Sequence, residues 1–181
     1  VSETADWLLS QPDTQVVFVP QVTSGLHNDD DREVMKRLAL RMKKAQQCIF
    51  INEELSHYQI KSLYKHASFL LATRMHSAIF AMSEYIPTVA IAYEHKTTGI
   101  MHDLGLDSWV IPLENVTAEE LIGKINNLNE NRQSYLKILN QNLPDYLDKA
   151  RKTIFTVKKV AHEAILSHSQ QVAPASYSST I

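Results

Sequence analysis

An arginine and a histidine stand two residues apart in one polar turn of this sequence, and a lysine closes a second polar turn. Arg74 and His76 follow the apolar run 69–72, and Lys96 follows the apolar run 88–92. A guanidinium and an ammonium group attract anions, and histidine exchanges protons near neutral pH. The spacing therefore predicts a site that binds an anion beside a proton donor.

Further polar side chains in and near these turns are candidate substrate ligands. They are Thr73 and Ser77 in the first turn, Tyr93 in the second, and Gln21, Ser24 and His27 in a loop after an earlier apolar run. Glu94 and His95 are weaker candidates. Asp29 and Asp30 could also touch a ligand, but the acidic run 29–31 opens a predicted helix. Carboxylates there match the positive end of the helix dipole.

Each functional interpretation has a structural alternative. Arg74 could form a salt bridge that fixes its loop, and His76 could cap a helix or be buried with its hydrogen bonds satisfied. Lys96 could belong to an exposed charged loop. The placement of Arg74 and His76 together at the end of a predicted strand favours the functional interpretation of both.

The elements that would position these residues alternate between strand and helix. Five strand-length apolar runs cover 15–19, 47–51, 69–72, 88–92 and 109–111. Helical patterns separate them and short connections join them, which predicts an α/β fold with a doubly wound, Rossmann-like parallel sheet of about five strands and C-terminal helices. Ligands of such sheets bind beyond the carboxyl ends of the strands. The loops that meet there are 20–30, 73–77 and 93–98.

The predicted organisation is a single domain over residues 1–166 followed by a disordered tail over residues 167–181. Helix breaks are expected near 126–131 and at Pro144, and Thr117 with Glu120 has the spacing of a capping box. The sequence begins with Val1 inside a helical pattern, so we expect it to be the C-terminal domain of a longer two-domain protein.

Composition narrows the function classes. The 181 residues carry a formal net charge of −2, so no overall basic field would recruit nucleic acid or an anionic membrane. The four glycines form no glycine-rich phosphate loop, which weighs against a dinucleotide-binding or P-loop enzyme. The single Cys48 gives no disulfide framework, and the acidic run lacks metal-ligand spacing. We expect no metal, no cofactor and a cytoplasmic protein without a membrane span.

Two segments together resemble the polysaccharide pyruvyl transferase family. They are PQVTSGLHNDDD at 20–31 and TRMHSAIFAMSEYIPTVAIAYEHKTTGIMHDLGL at 73–106. The second contains the element R-x-H-[SA] followed by P-x-[VI]-[AG]-[IL]-x-Y-x-x-K, with both parts in order and at the expected spacing. The resemblance covers roughly residues 12–125.

This resemblance implies the C-terminal half of a glycosyltransferase-B-like fold. It also implies a reaction in which phosphoenolpyruvate transfers its pyruvyl group to two hydroxyls of a saccharide or a lipid-linked oligosaccharide. The product is a cyclic ketal, and phosphate is released. His76 would then be the general acid, and Arg74 would hold the donor and stabilise the departing phosphate. A missing N-terminal domain would supply the acceptor groove, and the acceptor could draw the protein to the inner face of the membrane.

Two other functions fit the same architecture. One is a nucleotide-sugar-dependent glycosyltransferase, in which Glu119 or Glu120 could grip a ribose. The other is a non-catalytic module that binds an anion or a glycan.

Overall fold

The structure is a computed structural model that describes residues 1–24 and 29–171. Helices and strands alternate through most of the chain. The strands are β1 Val17–Phe18, β2 Ile49–Phe50, β3 Leu70–Ala72, β4 Thr88–Ala92 and β5 Val110–Pro112. The helices are α1 Ser2–Leu8, α2 Asp31–Ala39, α3 His57–Tyr64, α4 Met75–Ser83, α5 His95–Asp103, α6 Ala118–Glu130 and α7 Arg132–Gln171.

The strands form two parallel sheets among the described residues. β1 pairs with β2, and β4 lies between β3 and β5. The predicted α/β class and the parallel direction are confirmed, but the single five-stranded sheet is not what the backbone pairing shows. The two sheets also differ in burial. β4 is buried along its whole length, whereas β1 and β2 pair over two residues each and leave Val17 and Ile49 40% and 49% exposed.

The core surrounds β4. Small residues of α4, such as Ala78 and Ala81, are buried and let this helix pack closely against β4 and β3. Leu121 and Ile125 of α6 are fully buried. They stand four residues apart, about one helical turn, so both lie on the single apolar face of the helix. Tyr135, at the start of α7, meets Trp109 edge to face with ring centroids 4.9 Å apart.

Side chains or a glycine complete the ends of three helices. Ser56 and Gln59 form a reciprocal capping box at the start of α3. The Thr117 hydroxyl accepts a hydrogen bond from the backbone N–H of Glu120 at the start of α6. Gly105 follows α5 with φ +72°, a conformation that glycine adopts without steric cost.

Contacts divide the chain into two compact units, residues 1–142 and 143–181. All five strands lie in the first. The predicted break near 126–131 is confirmed, because α6 ends at Glu130 and α7 begins at Arg132. The predicted break at Pro144 is wrong. α7 continues through this residue, since a proline removes one backbone donor while the bonds of the neighbouring turns remain.

The domain prediction for residues 1–166 stays a prediction. α7 extends to Gln171, and the remainder of the predicted tail lies outside the described residues. No helix in the described part of the chain combines the length and the apolar character needed to cross a membrane.

Candidate functional site

A cleft of about 440 Å³ opens at the carboxyl ends of β3 and β4. Five of the predicted site residues line it: Gln21, Arg74, His76, Tyr93 and Lys96. The two strands run parallel, so the turn that follows each one reaches the same edge of the sheet. The predicted meeting of the two cationic turns is therefore what the structure contains.

Two helices begin at this cleft. Arg74 is the N-cap residue of α4, and Glu94 is the N-cap residue of α5. Neither of these side chains caps its own helix with a hydrogen bond. The first backbone N–H groups of a helix lack partners within the helix, and the helix dipole is positive at this end. Both helix starts therefore favour an anion in the cleft.

Arg74 is held by two carboxylates of the first loop. Its Nη2 donates to Asp29 Oδ1 at 2.6 Å and to Asp31 Oδ1 at 2.7 Å. Its Nε donates to Asp31 Oδ1 at 3.1 Å, and its Nη1 donates to Asp29 Oδ2 at 3.3 Å. The hydrogen bond to Asp29, and after it the one to Asp31, raises the pKa of Arg74 above its ordinary value despite partial burial. This is the salt-bridged arrangement that the structural alternative describes.

Asp31 also ties the first loop to itself. Its Oδ2 accepts from the backbone N–H of Gln21 at 2.9 Å and of Val22 at 3.0 Å. Its own backbone N–H donates to the carbonyl of Val22 at 2.8 Å. One carboxylate thus joins the end of the β1 loop, the start of α2 and the guanidinium of Arg74.

Asp30 has a different role from its neighbours. It is the N-cap residue of α2, where its side chain accepts the backbone N–H of Arg32. It also forms an ion pair with the Arg32 guanidinium at 2.6 Å, and this hydrogen bonding lowers the pKa of Asp30. The interpretation of the acidic run as a helix start is confirmed for Asp30.

A second network lies beneath the cleft. Gln21 Nε2 donates to the Tyr64 hydroxyl at 2.9 Å, and Tyr64 also hydrogen-bonds with Ser77. Burial raises the pKa of Tyr64. Ser77 is buried in α4, and its hydroxyl meets that of Tyr64 inside the protein. Its role as a substrate ligand stays a prediction.

The other predicted residues differ in their positions. His76 is exposed in the first turn of α4, with its ring 6.3 Å from that of Phe80. Lys96 is exposed, and its Nζ lies 3.9 Å from a carboxylate oxygen of Glu94. Thr73 and Ser24 are exposed beside these turns. His27 lies outside the described residues.

The sequence did not indicate several residues that line the cleft. His57, at the start of α3, is one of them, together with the apolar side chains Leu55, Ile60 and Phe80. The capping signal at Ser56 locates the start of α3 in the sequence, but its approach to α4 is a tertiary contact that periodicity cannot predict.

A separate cavity of about 500 Å³ lies beside α6. Glu119, Glu120 and Lys124 line it, and the Lys124 ammonium donates to the carbonyl of Ser108 at 2.6 Å. Its two glutamates disfavour an anion, so the cleft at β3 and β4 is the better anion site. Glu119 and Glu120 line this separate cavity and are not among the residues that line the cleft.

Comparison with known proteins converges on one family. The family model described as polysaccharide pyruvyl transferase matches residues 3–95, about half of the chain. The chain is also similar to the amylovoran biosynthesis protein AmsJ of Erwinia amylovora, with 30% identity over 105 residues. That stretch covers 58% of this chain and 25% of the relative, so the comparison spans a quarter of that protein. The matched residues include both the acidic run and the Arg74–His76 turn, and the chain belongs to the polysaccharide pyruvyl transferase family.

Proposed function

We propose that this chain is the donor-binding half of a pyruvyl transferase that uses phosphoenolpyruvate. The acceptor is a sugar of a polysaccharide or of its lipid-linked precursor, and the product is a cyclic ketal. The observation that carries the proposal is the cleft in which two helix N-termini, Arg74 and Lys96 surround His76. Family membership supplies the reaction class.

The charge of phosphoenolpyruvate explains the choice of anchors. Its phosphate and carboxylate need separate cationic or N–H partners. Lys96 provides an exposed ammonium, and the start of α4 provides backbone N–H groups. Arg74 already has two carboxylate partners, so the donor competes with one of them for the guanidinium.

Asp29 is the partner that yields. Its side chain is 55% exposed, whereas that of Asp31 is 18% exposed and also accepts two backbone N–H groups. Water therefore competes more readily for the contact between Asp29 and Arg74 than for the contact between Asp31 and Arg74. Arg74 then keeps its orientation through Asp31 while it turns its outer N–H groups to the donor.

The chemistry assigns the proton to His76. A proton added to the methylene carbon of phosphoenolpyruvate gives an oxocarbenium-like centre at the neighbouring carbon. One sugar hydroxyl adds to this centre, phosphate leaves, and a second hydroxyl closes the ketal, with each hydroxyl losing its proton. His76 is an exposed imidazole of the cleft that stands two residues from Arg74, so we assign it the role of general acid. Arg74 and Lys96 stabilise the negative charge on the leaving phosphate.

Binding of the donor to the 181-residue chain tests the first half of this proposal. We expect phosphoenolpyruvate to raise the melting temperature in a saturable way, and Lys96→Gln to weaken binding about tenfold. Lys36→Gln is the matched control, because Lys36 is similarly exposed and also pairs with a nearby glutamate. Equal effects of the two substitutions would remove Lys96 from the site.

Turnover tests the second half. In the protein that carries out the reaction, His76→Ala should abolish phosphate release with an oligosaccharide acceptor but leave donor binding largely intact. Arg74→Ala should weaken donor binding as well. Stabilisation by a nucleotide sugar without phosphate release would instead favour a glycosyltransferase. Donor binding without turnover of any acceptor would favour a non-catalytic module.

A further inference from the structure

The distal part of α7 carries an exposed apolar stripe. Ile154, Val157 and Val160 expose 56%, 62% and 59% of their surface. Ile154, Val157 and Ala161 follow one another at spacings of three and four residues, and Leu147 and Ala150 continue the pattern toward the N-terminal end. Residues at these spacings share one face of a helix. Solvent reaches the stripe from Ala150 to Ala161, whereas Leu147 is half-buried.

Positive charge surrounds the stripe. Residues 149–162 contain no aspartate or glutamate and five cationic side chains, although the whole chain has a net charge of −2. These cations are Lys149, Arg151, Lys152, Lys158 and Lys159. The local charge is therefore opposite in sign to that of the whole chain.

The cations are placed to border the apolar face. Arg151 and Lys158 lie about one turn before and after Ile154, along one edge of the stripe. Lys149 lies near the other edge, below Val160. Arg151 pairs with Asp148 at 3.2 Å in an exposed ion pair, which is weak enough to exchange for another anion.

We propose that this part of α7, residues 147–163, binds the surface of an anionic lipid bilayer. The helix lies in the plane of the surface with the stripe among the outer acyl carbons. Arg151, Lys158 and Lys149 extend along its edges to lipid phosphates, as long cationic side chains do at membrane interfaces. A second copy of the helix fits less well, because Arg151, Lys158 and Lys149 border the stripe with like charge, and the nearby Asp148 and Glu163 already pair with cations of the same helix. The proposal does not depend on the pyruvyl transferase reaction.

Sedimentation of the 181-residue chain with lipid vesicles tests the proposal. The chain should sediment with vesicles of phosphatidylcholine that contain phosphatidylglycerol, and the bound fraction should fall as salt is raised. It should stay in solution with vesicles of phosphatidylcholine alone. The double substitution Arg151→Gln with Lys158→Gln should lower the partition coefficient at least about tenfold. These positions are exposed, so circular dichroism should show an unchanged helix content.

Two matched variants separate the proposal from its alternatives. Lys36→Gln with Arg37→Gln removes the same charge from α2 and should leave vesicle binding unchanged. Ile154→Ser with Val157→Ser keeps every charge and should also lower binding. Failure to sediment with anionic vesicles, or an equal loss in the α2 variant, overturns the proposal. A dimer in sedimentation equilibrium that the Ile154 and Val157 substitutions dissociate also overturns it, because a second copy then covers the stripe.

Discussion

Replacing Asp31 with asparagine exchanges one carboxylate oxygen for an NH2 group at the centre of the first loop. In the native chain, Oδ2 accepts two backbone N–H groups, and Oδ1 accepts two N–H groups of Arg74. An asparagine has one oxygen and one NH2 group. Whichever way the amide turns, its NH2 group faces donors instead of accepting from them.

The magnitude follows from the contacts that are lost. A polar group left without its partner costs about 1–3 kcal/mol when it is buried. The Asp31 side chain is 18% exposed, so water relieves part of this cost. We therefore expect the free energy of unfolding to fall by about 2 kcal/mol, which corresponds to a melting temperature lower by roughly 4–8 °C for a chain of this size.

Thermal unfolding followed by tryptophan fluorescence measures this change. Trp109 is buried against Tyr135, so its emission reports the unit that contains the site. Glu33→Gln is the control, because Glu33 lies in the same helix and makes an exposed ion pair with Lys36, worth at most about 0.5 kcal/mol. If Asp31→Asn melts no lower than Glu33→Gln, Asp31 does not hold the loop and Arg74 as argued.

Three further substitutions test other contacts. Asp29→Asn removes the carboxylate that competes with the donor for Arg74, so calorimetry should show phosphoenolpyruvate binding up to about fivefold tighter. Weaker binding would contradict the proposal that the donor replaces Asp29 at Arg74. The Asp107 carboxylate accepts a hydrogen bond from His102 and raises its pKa. The pair therefore stabilises the fold fully below the unfolded pKa, and this contribution disappears as pH rises through the folded pKa. Asp107→Asn should lower the His102 pKa in an NMR titration, and an unchanged titration would show that the contact is absent in solution. Gly105→Ala should lower the free energy of unfolding by about 1–2 kcal/mol in urea, because φ is +72° and the new β-carbon would meet an amide nitrogen at 3.2 Å; an unchanged midpoint would contradict this.

Local chemistry explains which parts of the fold the sequence predicts. The strand of β4 and the cap at Thr117 depend on neighbouring residues, and both were predicted correctly. The division into two sheets depends on which strands pair, and neither β1 nor β2 pairs with a strand of the other sheet among the described residues. Strand pairing is a property of the tertiary structure, and hydrophobic runs carry no information about it.

The candidate site divides in the same way. The carboxyl-edge rule for parallel strands brings Arg74, His76 and Lys96 to one cleft, and the sequence was enough to predict it. The pairing of Arg74 with Asp29 and Asp31 joins residues more than forty positions apart. The acidic run and the arginine were both visible, but a helix start already explained the acidic run. Opposite charges in the loops that follow β1 and β3 were the signal that could have indicated the pairing.

The backbone contacts of Asp31 hold the two ends of the first loop together. Val22 and Asp31 are joined by hydrogen bonds in both directions, and Arg32 adds a bond of 2.7 Å to the carbonyl of Thr23. Residues inserted between Thr23 and Asp29 would leave the contacts of Asp31 with Gln21 and Arg74 unchanged. We therefore expect relatives to tolerate changes of length at this point of the sequence more readily than substitution of Asp31.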